Sequence, residues 1–315
     1  MTDPAGGGVL VLDREQTRAA SPPDAVLAAV RTALVAVSRG DVSAPARVAA
    51  RSAHGLLGAM PGYVPQLGLT AKLVSVFSAG GRGSHRGIVA HFDAETGRPL
   101  AIMDAEAITA VRTAATATAA MLALARPGAT RFAVIGTGAQ ARAQLAVLAA
   151  MDAAEVVVGA RDQEKAERLV ADLSAGSATG IEAAVKTADV VFCCTSSREP
   201  VVRRSWLADG AHLSSVGGSD GPEFDAETLR SSSLFVEWPG AVTEPPPAGA
   251  WELQGTDPSA ATLIGAVLDR RHPGRRSATE LTLFKSTGHA ALDVAAASVA
   301  YRGARDRGLG ITVNL

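Results

Sequence analysis

One segment limits what this chain can fold into more than any other: Ala133-Val-Ile-Gly136-Thr-Gly138-Ala-Gln-Ala141. It follows a short apolar run at 131–135 and opens a helical pattern over 140–150. In the spacing G-x-G-x-x-A, Gly136 permits a tight turn and Gly138 lets the backbone approach a pyrophosphate. Ala141, in place of a third glycine, still lets the helix lie close to the sheet. The start of the helix then offers unpaired N–H groups to an anion. The chain has 32 glycines, so the spacing alone is a weak signal; the strand–turn–helix setting gives it weight. Further strands are expected at 155–158, 189–195, 212–216 and 234–237, with a helix at 163–173. Strands alternating with helices predict a parallel, doubly wound sheet that binds a dinucleotide.

The second strand bears on which dinucleotide. Enzymes that take NAD usually end it with an acid that bonds the ribose 2′-hydroxyl. Here it reads Val156-Val-Val-Gly159-Ala160-Arg161-Asp162, with no acid at its tip and Lys165 one helical turn beyond Arg161. A guanidinium suits a 2′-phosphate. The expectation is NADP, with NAD possible. The plainer alternative leaves Arg161 solvated and uses Asp162 to cap the next helix.

Length and charge narrow the class. At 315 residues the chain has room for one large or two intermediate domains. Lys plus Arg number 30 and Asp plus Glu 31, a net charge of −1, which removes the broad attraction that holds proteins on nucleic acid or anionic membrane. Hydrophobic residues make up 47%, too many for a disordered chain. Cys193 and Cys194 are neighbours on an apolar strand and point to opposite faces, which argues against a disulfide framework or metal cluster. The first residues lack a basic, apolar leader, and the apolar stretch 113–125 falls short of the ~20 residues that span a bilayer. A cytoplasmic protein is expected.

The remainder reads as a second architecture. A strand is expected at 9–12. Pro22-Pro23-Asp24 opens a helix whose Val26, Leu27, Val30, Leu34 and Val37 recur at helical spacing until Gly40. Residues 48–92 are strand-like and punctuated by glycine, most clearly at 74–77 and 88–92, and a strand returns at 99–103. This predicts a mixed sheet with a helix on one face. An alanine-rich helix is expected over 108–125 and a last helix over 290–305. Arg47, Lys72 and Arg112 stand among small and apolar residues. Each alone would be an ordinary surface charge, but a buried cation needs an anionic partner.

These segments carry a resemblance. Met60-Pro-Gly-Tyr63, Gly68-Leu-Thr-Ala-Lys72, Ala107-Ile-Thr-Ala-Val-Arg112-Thr-Ala-Ala115 and the turn at 134–141 resemble the ornithine cyclodeaminase/μ-crystallin family. So do Arg198-Glu-Pro-Val201, Gly210-Ala-His-Leu213, Thr282-Leu-Phe-Lys-Ser-Thr-Gly288, Asp293 and Tyr301. The resemblance covers nearly the whole chain. It implies an α/β protein in which a Rossmann domain, 114–285, is inserted in an α+β substrate-binding and dimerisation domain, 1–113 plus 286–315.

The resemblance also implies a homodimer acting at the Cα–N bond of a small amino or imino acid, without nucleic-acid or membrane partners. Arg47, Arg112 and Met60 would bind substrate and its carboxylate; Lys72 and Asp220 would be catalytic. Gly136, Thr137, Gly138, Ala139, Gln140, Arg161, Thr195 and Thr113 would bind the nucleotide. Asp220 sits in Val216-Gly-Gly-Ser-Asp220-Gly-Pro222, shorter than the family's usual Asp-x-Pro-Gly-Lys-x-Glu-Leu form, so its assignment rests on position alone. The cyclodeaminases of the family place Thr on the strand after Lys72, where this chain has Gly87. The expected activity is therefore NAD(P)-dependent imino-acid reduction or amino-acid dehydrogenation. The alternatives are a redox-neutral cyclodeaminase with catalytic NAD and a nucleotide-binding protein without turnover.

Overall fold

The structure is a computed structural model that describes residues 8–77, 84–218 and 221–314. Asp220 lies outside the described residues. The chain divides into two compact units, Met1–Arg112 with His289–Leu315, and Thr113–Gly288.

Along the chain, the first unit begins with β1 (Gly8–Leu12), α1 (Arg14–Ala19), α2 (Pro23–Arg39), β2 (Val48–Arg51), β3 (Gly55–Val64), β4 (Gly68–Phe77), β5 (Ser84–Phe92) and β6 (Pro99–Asp104). The helix α3 (Ala105–Leu124) runs on into the second unit. There follow β7 (Arg131–Ile135), α4 (Ala139–Ala150), β8 (Glu155–Gly159), α5 (Gln163–Leu173), β9 (Ser177–Thr179), α6 (Ile181–Lys186), β10 (Val190–Cys193) and β11 (His212–Ser215). The second unit ends with α7 (Ala226–Ser231), β12 (Ser232–Val236), α8 (Gly240–Thr243), β13 (Ala261–Leu263), α9 (Ile264–Leu268) and β14 (Leu281–Lys285). The chain returns to the first unit with α10 (Ala290–Arg307) and β15 (Ile311–Asn314).

In the first unit a mixed sheet has the order β15-β1-β6-β5-β4-β3-β2. Only β1 and β6 run parallel within it. The helix α2 starts on a proline in its first turn and stops at Gly40, whose φ of 76° is the left-handed conformation that ends helices cheaply at glycine. Its apolar stripe, Val26, Val30, Leu34 and Val37, is buried, and each such side chain contributes ~1.5–3 kcal/mol. In α10, 12 of 18 residues are buried. Its alanines allow close approach: a Cβ placed on Gly62 of β3 would stand 2.9 Å from the Ala290 Cβ.

Period-two alternation gives this sheet two faces. Met60, Lys72 and Val89 pair in register as one cross-strand row. Val48, Ala59, Leu73 and Ile88 form another, on the opposite side of the pleat. On that second face Val48 is 63% and Ile88 42% exposed.

In the second unit every strand pair is parallel, in the order β13-β12-β14-β11-β10-β7-β8-β9. Side chains fill both sides: Cys193 belongs to one apolar cluster and Cys194 to the other, and both are free thiols. The expected elements of the turn region are present with ends shifted by a few residues. The strand β14 was not anticipated. All five of its residues are buried, so its sequence, Leu-Thr-Leu-Phe-Lys, lacks the alternation that marks a half-exposed strand. The helix α3 has 20 residues, longer than the expected 108–125 stretch at its start, which gives it the length to cross a membrane. Most of it is nonetheless buried, as a core helix is.

Candidate active site

In the first unit three elements bring charge together. Lys72 sits inside β4, Arg112 on α3 and Asp293 on α10, and they are 4%, 6% and 1% exposed. The Lys72 Nζ donates to Asp293 Oδ1 at 3.0 Å and lies 2.9 Å from Oδ2, off the axis a hydrogen bond requires. The Arg112 Nε donates to Asp293 Oδ1 at 3.2 Å. Lys72 also reaches the Thr109 hydroxyl at 3.5 Å. Asp293 Oδ2 is therefore a buried acceptor with no hydrogen-bond donor.

The electrostatics follow from this packing. Burial lowers the Lys72 pKa from 10.5 to about 8; the Asp293 carboxylate works against that, and Arg112 and Arg47 add to it. Burial pushes Asp293 up, but Lys72, Arg112 and Arg47 overcome it and hold the carboxyl below its ordinary value. His289, at the start of α10, is driven down to about 4 by burial, with Arg47 and Arg112 adding to the effect and Asp293 opposing it, so its ring is neutral near pH 7. Arg47 thus acts on all three groups. Met60 lies beside Lys72 in the same cross-strand row. The arrangement can fix a carboxylate through guanidinium groups and move a proton through an amine that titrates near neutral pH.

Asp293 is the residue sequence reasoning left without a role. Its signal was present: a lone acid in Ala-Ala-Leu-Asp-Val-Ala-Ala-Ala, where a helix apolar all round has to bury whatever charge it carries.

In the second unit the residues of the predicted turn fit a pyrophosphate. Gly136 has φ 114°, and a Cβ there would stand 2.7 Å from the Cys194 carbonyl, so only glycine is accommodated. Gly138 begins α4 with no side chain capping the helix, and nothing lies within 4 Å of where its Cβ would be. Thr137 and Ala139 flank that open space, and the Gln140 Oε1 is buried without a hydrogen-bond partner. Ala141 is buried in the cluster that packs helix on sheet. Thr113 is buried in α3. The Thr195 backbone N–H and hydroxyl both donate to Glu223 Oε1, at 2.8 and 2.6 Å, so this threonine can turn only acceptor capacity toward a ligand.

Arg161 is exposed just past β8. Asp162 does cap α5, accepting from the Lys165 N–H at 3.1 Å, and its other oxygen holds the Lys165 ammonium at 2.6 Å. Lys165 is therefore engaged by Asp162, which leaves Arg161 as the cation at that strand tip.

Residues 10–308 match the profile of the Ornithine cyclodeaminase/mu-crystallin family. The chain belongs to that family. It is 33% identical to the ketimine reductase mu-crystallin of Mus musculus over 273 residues, 83% of this chain and 85% of that protein. Among solved structures of similar fold is the Thermococcus litoralis Δ(1)-pyrroline-2-carboxylate reductase in complex with NADH and L-proline. Its TM-score is 0.85 at 28% identity, covering 97% of this chain and 100% of that one. Another is an archaeal alanine dehydrogenase dimer with bound NAD, with TM-score 0.84 at 30% identity, covering 97% and 99%.

Proposed function

We propose that this protein is a nicotinamide-dependent oxidoreductase that transfers hydride at the Cα–N bond of a small amino or imino acid. The observation that carries this reading is the buried convergence of Lys72 and Arg112 on Asp293, with Arg47 close enough to act on both Lys72 and Asp293. Arg112 and Arg47 hold the substrate carboxylate. Lys72 exchanges a proton with the substrate nitrogen, which keeps an imine protonated and electrophilic during reduction. Asp293 holds Lys72 in place and keeps it from drifting to a still lower pKa. The nicotinamide, when bound, supplies or accepts the hydride. The family relatives support this chemistry, since those described above are a ketimine reductase, a pyrroline-2-carboxylate reductase and an alanine dehydrogenase.

The cofactor reading is NADP on the strength of Arg161, with NAD as the alternative; the two neighbouring structures hold NADH and NAD. Gly87 speaks against the cyclodeaminase alternative: a Cβ there would stand 2.0 Å from the Leu73 carbonyl, so no threonine fits. A homodimer through the first unit accords with the exposed apolar row of its sheet, Val48 and Ile88 among it. A cytoplasmic setting accords with two free buried cysteines.

The test is a cofactor-turnover assay. Imino acids formed from keto acids and amines are supplied with NADPH or NADH, and ornithine with NAD runs alongside. Stoichiometric loss of the reduced nicotinamide absorbance with an imino acid is expected. Conversion of ornithine to proline with no net change in that absorbance would sink the reading in favour of a lyase.

A further inference from the structure

A second buried charge cluster lies in the other unit, and neither the substrate chemistry nor the pyrophosphate turn uses it. Lys285, the last residue of β14, is 1% exposed. Its ammonium donates to Ser215 Oγ at 2.7 Å, to the Gly217 carbonyl at 3.0 Å and to Glu252 Oε1 at 2.9 Å. Glu223, fully buried, accepts from the Ser215 hydroxyl at 2.6 Å and the Gly217 N–H at 3.2 Å, besides both donors of Thr195. Two carboxylates therefore share one ammonium, Glu252 directly and Glu223 through Ser215. The Glu252 side chain is 1% exposed, and its Oε2 has no hydrogen-bond donor. A buried carboxylate oxygen left without a donor is costly unless a ligand completes it.

The position of the cluster says which ligand. Thr195, Ser215, Gly217 and Lys285 all stand at or just past the carboxyl ends of β10, β11 and β14. Gly136 stands at the same end of β7. Ligands of open parallel sheets lie outside that edge, and a dinucleotide spans it across the first strand. The β8 tip, with Arg161, is on one side of β7; β10 and β11 are on the other. The adenosine half belongs with Arg161, so the nicotinamide half lies toward the acidic cluster. Gly218 packs against the cluster: a Cβ there would stand 2.6 Å from the Lys285 Nζ and 3.4 Å from Glu252 Oε2, so the charges lie directly beneath the backbone at this edge. The oxidised nicotinamide ring carries a positive charge and the reduced ring none.

We propose that Glu252 and Glu223, gathered around Lys285, bias the nucleotide site toward the oxidised, cationic nicotinamide ring. The same bias stabilises positive charge as it develops on the ring when hydride leaves for substrate. Glu252 is a positioning and charge-setting residue. The assignment rests on the nucleotide-binding reading above, and the experiment separates the two.

Isothermal titration would give dissociation constants for the oxidised cofactor, the reduced cofactor and the matching ADP-ribose, which lacks the ring. In Glu252→Gln, which keeps the shape and removes the charge, affinity for the oxidised form falls about tenfold relative to the reduced form. ADP-ribose affinity is unchanged, and Glu252→Asp keeps the wild-type ratio. An unchanged ratio in the Gln variant, or equal shifts in the Gln and Asp variants, overturns the proposal and leaves nucleotide binding intact. The wild type also tests it without any variant: a reduced form bound more than about tenfold tighter than the oxidised form contradicts the bias. Failure of the wild type to bind any of the three overturns the nucleotide reading itself.

Discussion

The two units each bury a lysine against a carboxylate, yet the clusters are built with opposite surpluses. In the first, Lys72 and Arg112 converge on a single acid, Asp293. In the second, Glu223 and Glu252 gather around a single ammonium, Lys285. Burial alone makes neither arrangement stable, because desolvating charges costs more than an imperfect pair returns. Each surplus therefore names a ligand of the opposite sign: a carboxylate for the first cluster and a cationic ring for the second. The partners differ as well. Among the described residues Lys72 has side-chain partners only, Asp293 and Thr109. Lys285 adds a backbone carbonyl to its two side-chain partners, which ties it into the fold. Lys72 is desolvated with its pKa brought down toward the range of proton exchange, whereas Lys285 is bonded to backbone as well as side chains.

The largest expected effect separates them by function. Lys72→Ala should lower kcat/KM by about 10²–10⁴-fold, the usual range for losing a general acid or base. In wild-type kcat/KM an ionisation near pH 8 should appear, because burial brings the Lys72 pKa down from 10.5 to about 8. Lys72→Arg, charged at every accessible pH, should lack it. Stability has the opposite sign from a favourable ion pair. A lysine whose folded pKa lies below its unfolded value opposes folding at neutral pH, and that penalty is relieved as pH rises from about 8 to 10.5. Full activity in Lys72→Ala would end the catalytic assignment.

Lys285 should behave the other way. Lys285→Met leaves two buried carboxylates without a cation and should cost ~3–5 kcal/mol of stability, read by denaturant unfolding. A stability loss from Lys72→Met as large as that from Lys285→Met would erase the distinction between the clusters.

A smaller effect tests the carboxylate site. Arg112→Lys keeps the charge but loses the planar fork, and should raise KM for the amino or imino acid about tenfold with a lesser change in kcat. Comparable losses for a substrate amide lacking the carboxylate would refute the role. The smallest effect concerns Arg161, which is exposed: Arg161→Ala should shrink the preference for NADPH over NADH by about three- to tenfold, consistent with a screened surface contact. A preference for NADH that survives the change would assign the cofactor as NAD.

What the sequence made legible follows the range of the interactions involved. The phosphate turn was readable because Gly136, Gly138 and Ala141 act within one turn of chain. The helix α2 was readable from a local stop at Gly40. The strands β3 and β4 were readable only as a strand-like stretch, because Gly55, Gly58 and Gly62 look like turns in sequence. Gly62 is there for a packing reason, the Ala290 side chain of α10 against it. Lys72 and Arg112 were nameable, but their partner lies 221 and 181 positions away. Spacing cannot report such a contact. Glu252 and Lys285, 33 positions apart with a loop, a strand and a short helix between them, were invisible for the same reason. Asp220, assigned from a shortened motif, lies outside the described residues and remains a proposal.

Hydride transfer at Cα assisted by Lys72 is tested most directly by isotope transfer. Reduced cofactor carrying deuterium at nicotinamide C4 would be incubated with a small α-imino acid, and the amino-acid product read by NMR. Stereospecific deuterium at Cα, lost with turnover in Lys72→Ala, is the predicted result; product formed without deuterium at Cα, from either face of the labelled cofactor, would contradict it.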